Sequence, residues 1–375
     1  MRKIEFESVL DSSADAVTVL VHNEHDQWNN IGFLFEKATP NKLIGIRVEP
    51  GEPPSDAPRT PLSESAALDS IRGTLEMLSK SDAFSGVVLI AKQGTPIYRQ
   101  AYGLAEREFD VPNRVDTKFN LGSINKIFTQ IAIRQLAAQG KLALTDTLGK
   151  FLPDYPNPQA RAKVTVQQLM EHTSGIGDFF GERFVNLPKD KLRGIQDYLP
   201  LFADQPLEFE PGTGNRYSNG GYIVLGALIE KVSGRSYYDY VREHIFKLAG
   251  MENTDSYEAD EVIYNRAMGY THHTGFGETP ELRKNTYQLP ARDSSAGGGY
   301  STADDLLKFL NAVDQGKIPG AQSEAMAIAG GAPGINTMVS TKIKDLYTVI
   351  VMTNLDPPTA QDASDNIWRL LKRVN

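Results

Sequence analysis

Three early stretches place apolar residues in strand-length blocks: Ala16-Val-Thr-Val-Leu-Val21, Ile31-Gly-Phe-Leu-Phe-Glu36 and Leu43-Ile-Gly-Ile-Arg-Val48. Polar residues bound each block, so the pattern predicts a small β-meander over residues 1–48, its strands within 4–48. The run Glu49-Pro-Gly-Glu-Pro-Pro-Ser-Asp-Ala-Pro-Arg-Thr-Pro61 is too proline-rich for helix or sheet and predicts a linker over 49–63. The spacing then changes. Over 64–375 the chain reads as mixed α/β, with a helix at 68–78 and strands at 86–91 and 96–101. A mostly helical stretch with long Gly- and Pro-containing connections fills about 120–320. Strands at 336–343 and 347–352 and a helix at 359–374 close the chain. Strands from both chain ends around a helical middle predict one sheet flanked by helices, with the helical part inserted as a second lobe. The cleft between the lobes is the expected place for a site.

A meander of about 45 residues buries little by itself. It is expected to be a domain fragment, from a chain truncated at its start, or to pair with another chain as a homo-oligomer through its open edges. The residues after Met1 include Arg2 and Lys3 but no apolar core behind them, so no signal peptide is expected. No stretch approaches the roughly 20 apolar residues of a membrane span.

Composition narrows the chemistry. The 375 residues carry a net charge of −8 and no Lys/Arg-rich run, which argues against nucleic acid as a partner. Cysteine is absent, so thiolate nucleophiles, thiolate metal sites and disulfides are excluded together. Neither a cofactor nor a metal is expected: the adjacent His272 and His273 lack metal-site spacing, and His22 and His25 lie in a polar turn. Tyr237-Tyr-Asp-Tyr240 reads as helix packing, and Asp304-Asp305 as first-turn acids of a helix.

Candidate catalysis begins at Phe119-Asn-Leu-Gly-Ser-Ile-Asn-Lys126. This segment opens a helix whose apolar positions Ile127, Phe128, Ile131 and Leu136 recur at helical spacing until Gly140. Ser123 and Lys126 lie three apart, which brings their β-carbons to about 5–6 Å on one helix face. A hydroxyl nucleophile needs a base, and a lysine becomes one when burial or charge lowers its pKa. Alone, Ser-x-x-Lys arises by chance about once or twice in a chain of this length. A second segment, Glu210-Pro-Gly-Thr-Gly-Asn-Arg-Tyr-Ser-Asn219, is a turn-rich loop running into a helix at 221–232. Tyr217 and Asn219, two apart on such a loop, can aim at one point. Tyr217 can take or relay the serine proton, and Asn219 can hold Lys126 or a substrate amide.

Ser123-Ile-Asn-Lys126 followed by Tyr217-Ser-Asn219 resembles the class C β-lactamases, the D-Ala-D-Ala peptidases and the esterases built on the same fold. Leu169-Met-Glu-His-Thr-Ser-Gly175, Gly297-Gly-Gly-Tyr-Ser-Thr-Ala-Asp-Asp-Leu306 and Gly331-Ala-Pro-Gly-Ile-Asn336 are similar to three further segments of that family. The resemblance spans about 65–375. It implies a β-lactamase-like two-lobe fold and a metal-independent serine hydrolase working through an acyl-enzyme at Ser123. Lys126 and Tyr217 would then share the acid and base roles, and Asn219 would position substrate. The N–H groups of Ser123 and Gly331 would form the oxyanion hole, with Gly330 beside them. Small ester, amide or peptide substrates are implied, and a periplasmic or secreted location. The meander resembles the last strands of a cone-shaped sheet that often precedes such domains.

The chain departs from the family where the third motif begins with Lys or His: here the run is Ala327-Ile-Ala-Gly-Gly331, with Ile328 at the basic position. The segment between 313 and 330 is also short, as though a helix and a strand were missing. A group that engages a substrate carboxylate is therefore not evident. The expectation is an esterase or peptidase of small acyl or D-amino-acyl substrates. The alternatives are a weak or inactive binding module and a β-lactamase or D,D-carboxypeptidase. No Gly-x-Ser-x-Gly elbow offers another nucleophile, and His172 is expected to be a structural hydrogen-bonder.

Overall fold

The computed structural model describes residues 4–23, 28–36, 42–51, 61–274, 277–323, 325–343 and 346–374. They fall into two compact units, Met1–Pro61 and Leu62–Asn375. Most of the expected linker, 52–60, lies outside the described residues.

In the first unit, β1 (Ile4–Ser12), β2 (Ala16–Asn23), β3 (Trp28–Phe35) and β4 (Leu43–Pro50) form an antiparallel sheet in chain order. The register sets Val9 opposite Val19, Val19 opposite Ile31, and Ile31 opposite Val48. Phe6 lies opposite Val21, while Val17, Phe33 and Ile46 form a second cross-strand row. Paired residues share a face, so one face is apolar across all four strands. Its outer strands are exposed, with Phe6 at 62% and Ile46 and Val48 at 60% each, while Val21 on β2 is buried.

The second unit opens with α1 (Glu64–Lys80), which starts earlier than the apolar spacing predicts because Ser63 caps it, accepting from the Ala66 N–H. Next come β5 (Gly86–Lys92) and β6 (Thr95–Tyr102), then α2 (Lys126–Ala138) and α3 (Asn219–Ser233). A hairpin of β7 (Tyr270–Thr274) and β8 (Gly277–Lys284) follows. The chain ends with α4 (Ala303–Asp314), β9 (Ala327–Ala332), β10 (Ile335–Ile343), β11 (Tyr347–Thr353) and α5 (Thr359–Leu371). Both chain ends build one antiparallel sheet in the order β9-β10-β11-β5-β6. This is the mixed α/β, two-ended arrangement the sequence pattern predicts.

β5 is buried on both faces, so it reads as a continuous apolar run. Val88 and Ile90, with Val349 and Val351, pack under Ile71 and Leu75 of α1 and Ile367 and Leu371 of α5. Val87, Leu89 and Ala91, with Ile350 and Met352, belong to the larger core that continues into α2 through Phe128, Ile131 and Leu136. The alternation of one strand thus anchors two layers. Helix α3 buries every residue from 220 to 229, as a helix apolar on all sides does inside a lobe. Tyr237, Tyr238 and Tyr240 are buried in helix packing, and Thr302 caps α4 by accepting from the Asp305 N–H.

One detail differs from the pattern-based expectation. His272 and His273 lie on strand β7, exposed, where the sequence reads as loop. The β7–β8 hairpin is polar on both faces and so carries no strand-like alternation. Between α4 and β9, residues 315–323 and 325–326 contain no helix or strand. Among the described residues no helix is long and apolar enough to cross a membrane.

Candidate active site

Ser123 lies in a tight 3-10 turn, Gly122–Asn125, that leads directly into α2, whose first residue is Lys126. The turn is held from below: the Gly122 N–H donates to Asn120 Oδ1 at 2.9 Å, and the Gly298 N–H donates to the Gly122 carbonyl at 2.9 Å. The residue capping this turn is Leu121, without a side-chain bond. The ordinary role of a serine at a helix start, capping, is therefore not the role of Ser123. Its hydroxyl instead meets two side chains. Tyr217 Oη donates to Ser123 Oγ at 2.6 Å, and Lys126 Nζ lies 3.3 Å from the same oxygen.

Lys126 is 6% exposed. Its ammonium position is surrounded by acceptors: Ser123 Oγ, Asn219 Oδ1 at 2.8 Å and the carbonyl of Ala296. It also sits over the rings of Tyr217 and Tyr222, 4.7 and 5.3 Å from their centroids. Burial pushes its pKa down to about 7, opposed by the negative charge of Asp178. Burial pushes the Tyr217 phenol above its ordinary value, against the hydrogen bond with Ser123. Near neutrality the geometry thus holds a phenol that keeps its proton and an amine able to give its proton up.

The Tyr217 loop owes its place to His172, whose backbone has a φ of 61°. His172 Nδ1 accepts from the Ser218 N–H at 3.1 Å, and its ring lies 4.6 Å from that of Tyr217. Burial first, and the nearby Lys126 charge second, depress the His172 pKa. A neutral imidazole can accept that N–H. His172 bonds the Ser218 N–H and not Ser123, and it acts here as a structural hydrogen-bonder. Asn219 begins α3 and turns its amide nitrogen to Asp178 Oδ2 at 2.7 Å.

The edge strand β9 closes the opposite side through its glycines. A methyl group added at Gly330 would lie 2.0 Å from the Leu121 carbonyl oxygen and 2.9 Å from Ser123 N. Gly122, with a φ of 51°, would bring one to 2.8 Å from Gly331 N. The serine turn and the edge strand are thus in backbone-to-backbone contact, which only residues without a β-carbon permit. We expect Gly330→Ala to cost about 1–3 kcal/mol of stability as the strand is forced off the turn. A thermal melt checks this; a melting temperature equal to the parent's would mean that the contact is easily relaxed.

Ser123, Lys126, Tyr217, Asn219, Gly330 and Gly331 are therefore brought together from three separated parts of the chain. Ile328 is not at this site as a polar group: it packs, partly buried, against the larger core. Two participants escape the sequence reading. Ala296 contributes a backbone carbonyl, which every residue type possesses. Asp178 lies three residues beyond the His-Thr-Ser-Gly turn, where an acid in a Gly-rich loop reads as solvated. A cavity of about 260 Å³ is lined in part by Asp178, and another of about 420 Å³ lies between the β5–β6 hairpin and the start of α4; neither is lined by Ser123, Lys126 or Tyr217. Among the described residues no cluster of three or more His, Asp or Glu forms a metal-ligand group.

Comparison with known proteins places the fold and the family. The chain is 30% identical over 324 residues to a penicillin-binding protein of Bacillus subtilis (strain 168), covering 76% of this chain and 71% of that protein. It is 30% identical over 300 residues to the esterase EstB of Burkholderia gladioli, covering 71% of this chain and 74% of that protein. Among solved structures, a penicillin-binding protein from Bacillus halodurans superposes with a TM-score of 0.70 at 30% identity. That match covers 79% of this chain and 98% of the other. The Beta-lactamase family model matches residues 71–342, a span that contains the serine turn, the Tyr217 loop and the glycine edge strand, and the chain belongs to that family of hydrolases.

Proposed function

We propose that the protein is a serine hydrolase that cleaves small esters or amides through an acyl-enzyme on Ser123. The observation that carries this reading is the pair of contacts on one oxygen: Tyr217 Oη at 2.6 Å and the buried Lys126 Nζ at 3.3 Å from Ser123 Oγ. Lys126, whose base form is populated as pH rises through about 7, takes the Ser123 proton as Oγ bonds to the acyl carbon. The carbonyl oxygen gains the negative charge. When the intermediate collapses, Tyr217 gives its proton to the departing alkoxide or amine, and Lys126 returns the first proton to Tyr217. Water then attacks the acyl carbon, its proton passing to Lys126, and Ser123 Oγ leaves with that proton restored.

The oxyanion falls to the backbone N–H groups of Ser123 and Gly331. Ala332 and Ile335 flank a two-residue turn, and Gly331 lies opposite Asn336. Hydrogen-bonded and non-bonded pairs alternate along an antiparallel ladder, and the pair that closes such a turn is bonded. By that alternation Gly331 falls in a non-bonded pair, with its N–H turned to the open edge. Edge-strand chemistry favours uncharged acyl groups: Ile328 offers no charge to a substrate carboxylate, which makes penicillins and D-Ala-D-Ala peptides poorer substrates than simple esters.

Intact-protein mass spectrometry after exposure to a fluorophosphonate, and separately to a penicillin, tests the reading. A single fluorophosphonate adduct on Ser123 is expected, forming faster as pH rises through about 7, because the base form of Lys126 grows over that range. The folded protein remaining unlabelled at every pH would sink the proposal. Labelling by penicillin would move the substrate class toward β-lactams.

A further inference from the structure

Asp178 is bonded to neither Ser123 nor Lys126, yet it meets Asn219, the α3 side chain that hydrogen-bonds Lys126. Its Oδ2 accepts from the Asn219 side-chain Nδ2 at 2.7 Å and from the Asn219 backbone N–H at 3.3 Å. Its Oδ1 accepts from the Phe180 N–H at 3.1 Å, which fixes the carboxylate within its own loop. The Asn219 oxygen then points the other way, onto Lys126 Nζ at 2.8 Å.

We propose that Asp178 is a positioning residue for catalysis: it locks the Asn219 amide so that oxygen, not nitrogen, faces Lys126, and it tunes the protonation of that lysine from a distance. The proposal rests on the assignment of Lys126 as the base for Ser123.

An asparagine amide has a donor end and an acceptor end of nearly equal size, so its orientation is decided by its partners. A carboxylate accepts only. It cannot satisfy the Asn219 oxygen, so the amide nitrogen must turn to Asp178 and the oxygen to the lysine. In the flipped orientation two donors would face each other at Lys126 and two acceptors at Asp178. The titratable groups facing Lys126 are His172, Tyr217, Tyr222 and Asp178. Burial depresses the pKa of His172 and raises those of both tyrosines, Tyr222 to about 12, so all three are neutral near pH 7. Asp178 supplies the opposing charge, holding the lysine above the value that burial alone would impose.

A purely structural alternative exists, because Asp178 also accepts from the first backbone N–H of α3 and could serve only as a cap. The two roles separate in the pH dependence of Ser123 acylation. Rates of fluorophosphonate labelling are measured against pH for the parent, for Asp178→Asn and for the double exchange Asp178→Asn/Asn219→Asp. In Asp178→Asn the acid limb should move to lower pH by about half a unit to one unit, because the charge that favours the ammonium is gone. In the double exchange the charge moves into contact with the lysine, and the limb should move to higher pH by about one unit or more. A limb that stays in place, with lost amplitude or lost melting temperature alone, overturns the proposal and leaves the cap. If the parent itself is not labelled at Ser123, the functional reading fails instead. Should Asp178→Asn not fold, Asp178→Ser removes the same charge and is judged by the same limb.

Discussion

Ser123→Ala should reduce hydrolysis of a p-nitrophenyl ester to the buffer rate, a loss on the order of 10⁵–10⁶ where an acyl-enzyme is obligatory. The size of this effect comes from the absence of a substitute: among the described residues no other hydroxyl is bonded to both Lys126 and Tyr217. The fold should survive. Ser123 caps nothing, and Lys126 keeps Asn219 Oδ1 and the Ala296 carbonyl as acceptors. Losing one hydroxyl that bonds two neighbours costs about 1 kcal/mol. Steady-state turnover and a thermal melt on the same preparation check both halves. Turnover that persists in this variant would place the nucleophile elsewhere.

Tyr217→Phe is the second large effect. The ring is retained, and with it the contacts to His172 at 4.6 Å and to Lys126 at 4.7 Å, so a single oxygen is removed. The chemical step should slow by about 10²–10⁴, the usual contribution of one positioned acid–base group. The fall should appear in kcat, with KM within a few-fold, because the tyrosine hydroxyl meets the reacting serine and not the rest of the substrate. Pre-steady-state release of p-nitrophenol separates acylation from deacylation. An unchanged acylation rate would leave every proton transfer of that step to Lys126. The direction of the Tyr217 pKa already argues against a resting phenolate: burial keeps the phenol protonated, so it starts the cycle as a donor.

The edge strand decides what such chemistry can act on. Gly330 and Gly331 bring a backbone against the serine turn, but the side chains of β9 carry no charge, and Ile328 spends its bulk on core packing. The apolar face of the first unit is a different matter. It is exposed on its outer strands β1 and β4 and precedes the hydrolase site in the chain.

The sequence by itself determined the sheet built by both chain ends, because the continuous apolar runs of β5 and β11 and the helical spacing in α2 are local properties of the chain. It also determined that Ser123 and Lys126 share one face, since a three-residue separation dictates that in any helical turn. The polar β7–β8 hairpin was invisible because strands without an apolar face carry no periodic signal. Only the tertiary structure decided the rest. Lys126 is an ordinary cation until Tyr217, Tyr222 and the Ala296 carbonyl enclose it, and enclosure is what lowers its proton affinity. Asp178 matters through Asn219, a partner forty-one residues away in the chain. Burial and long-range contact create both properties, and neither is a feature of any short stretch of residues.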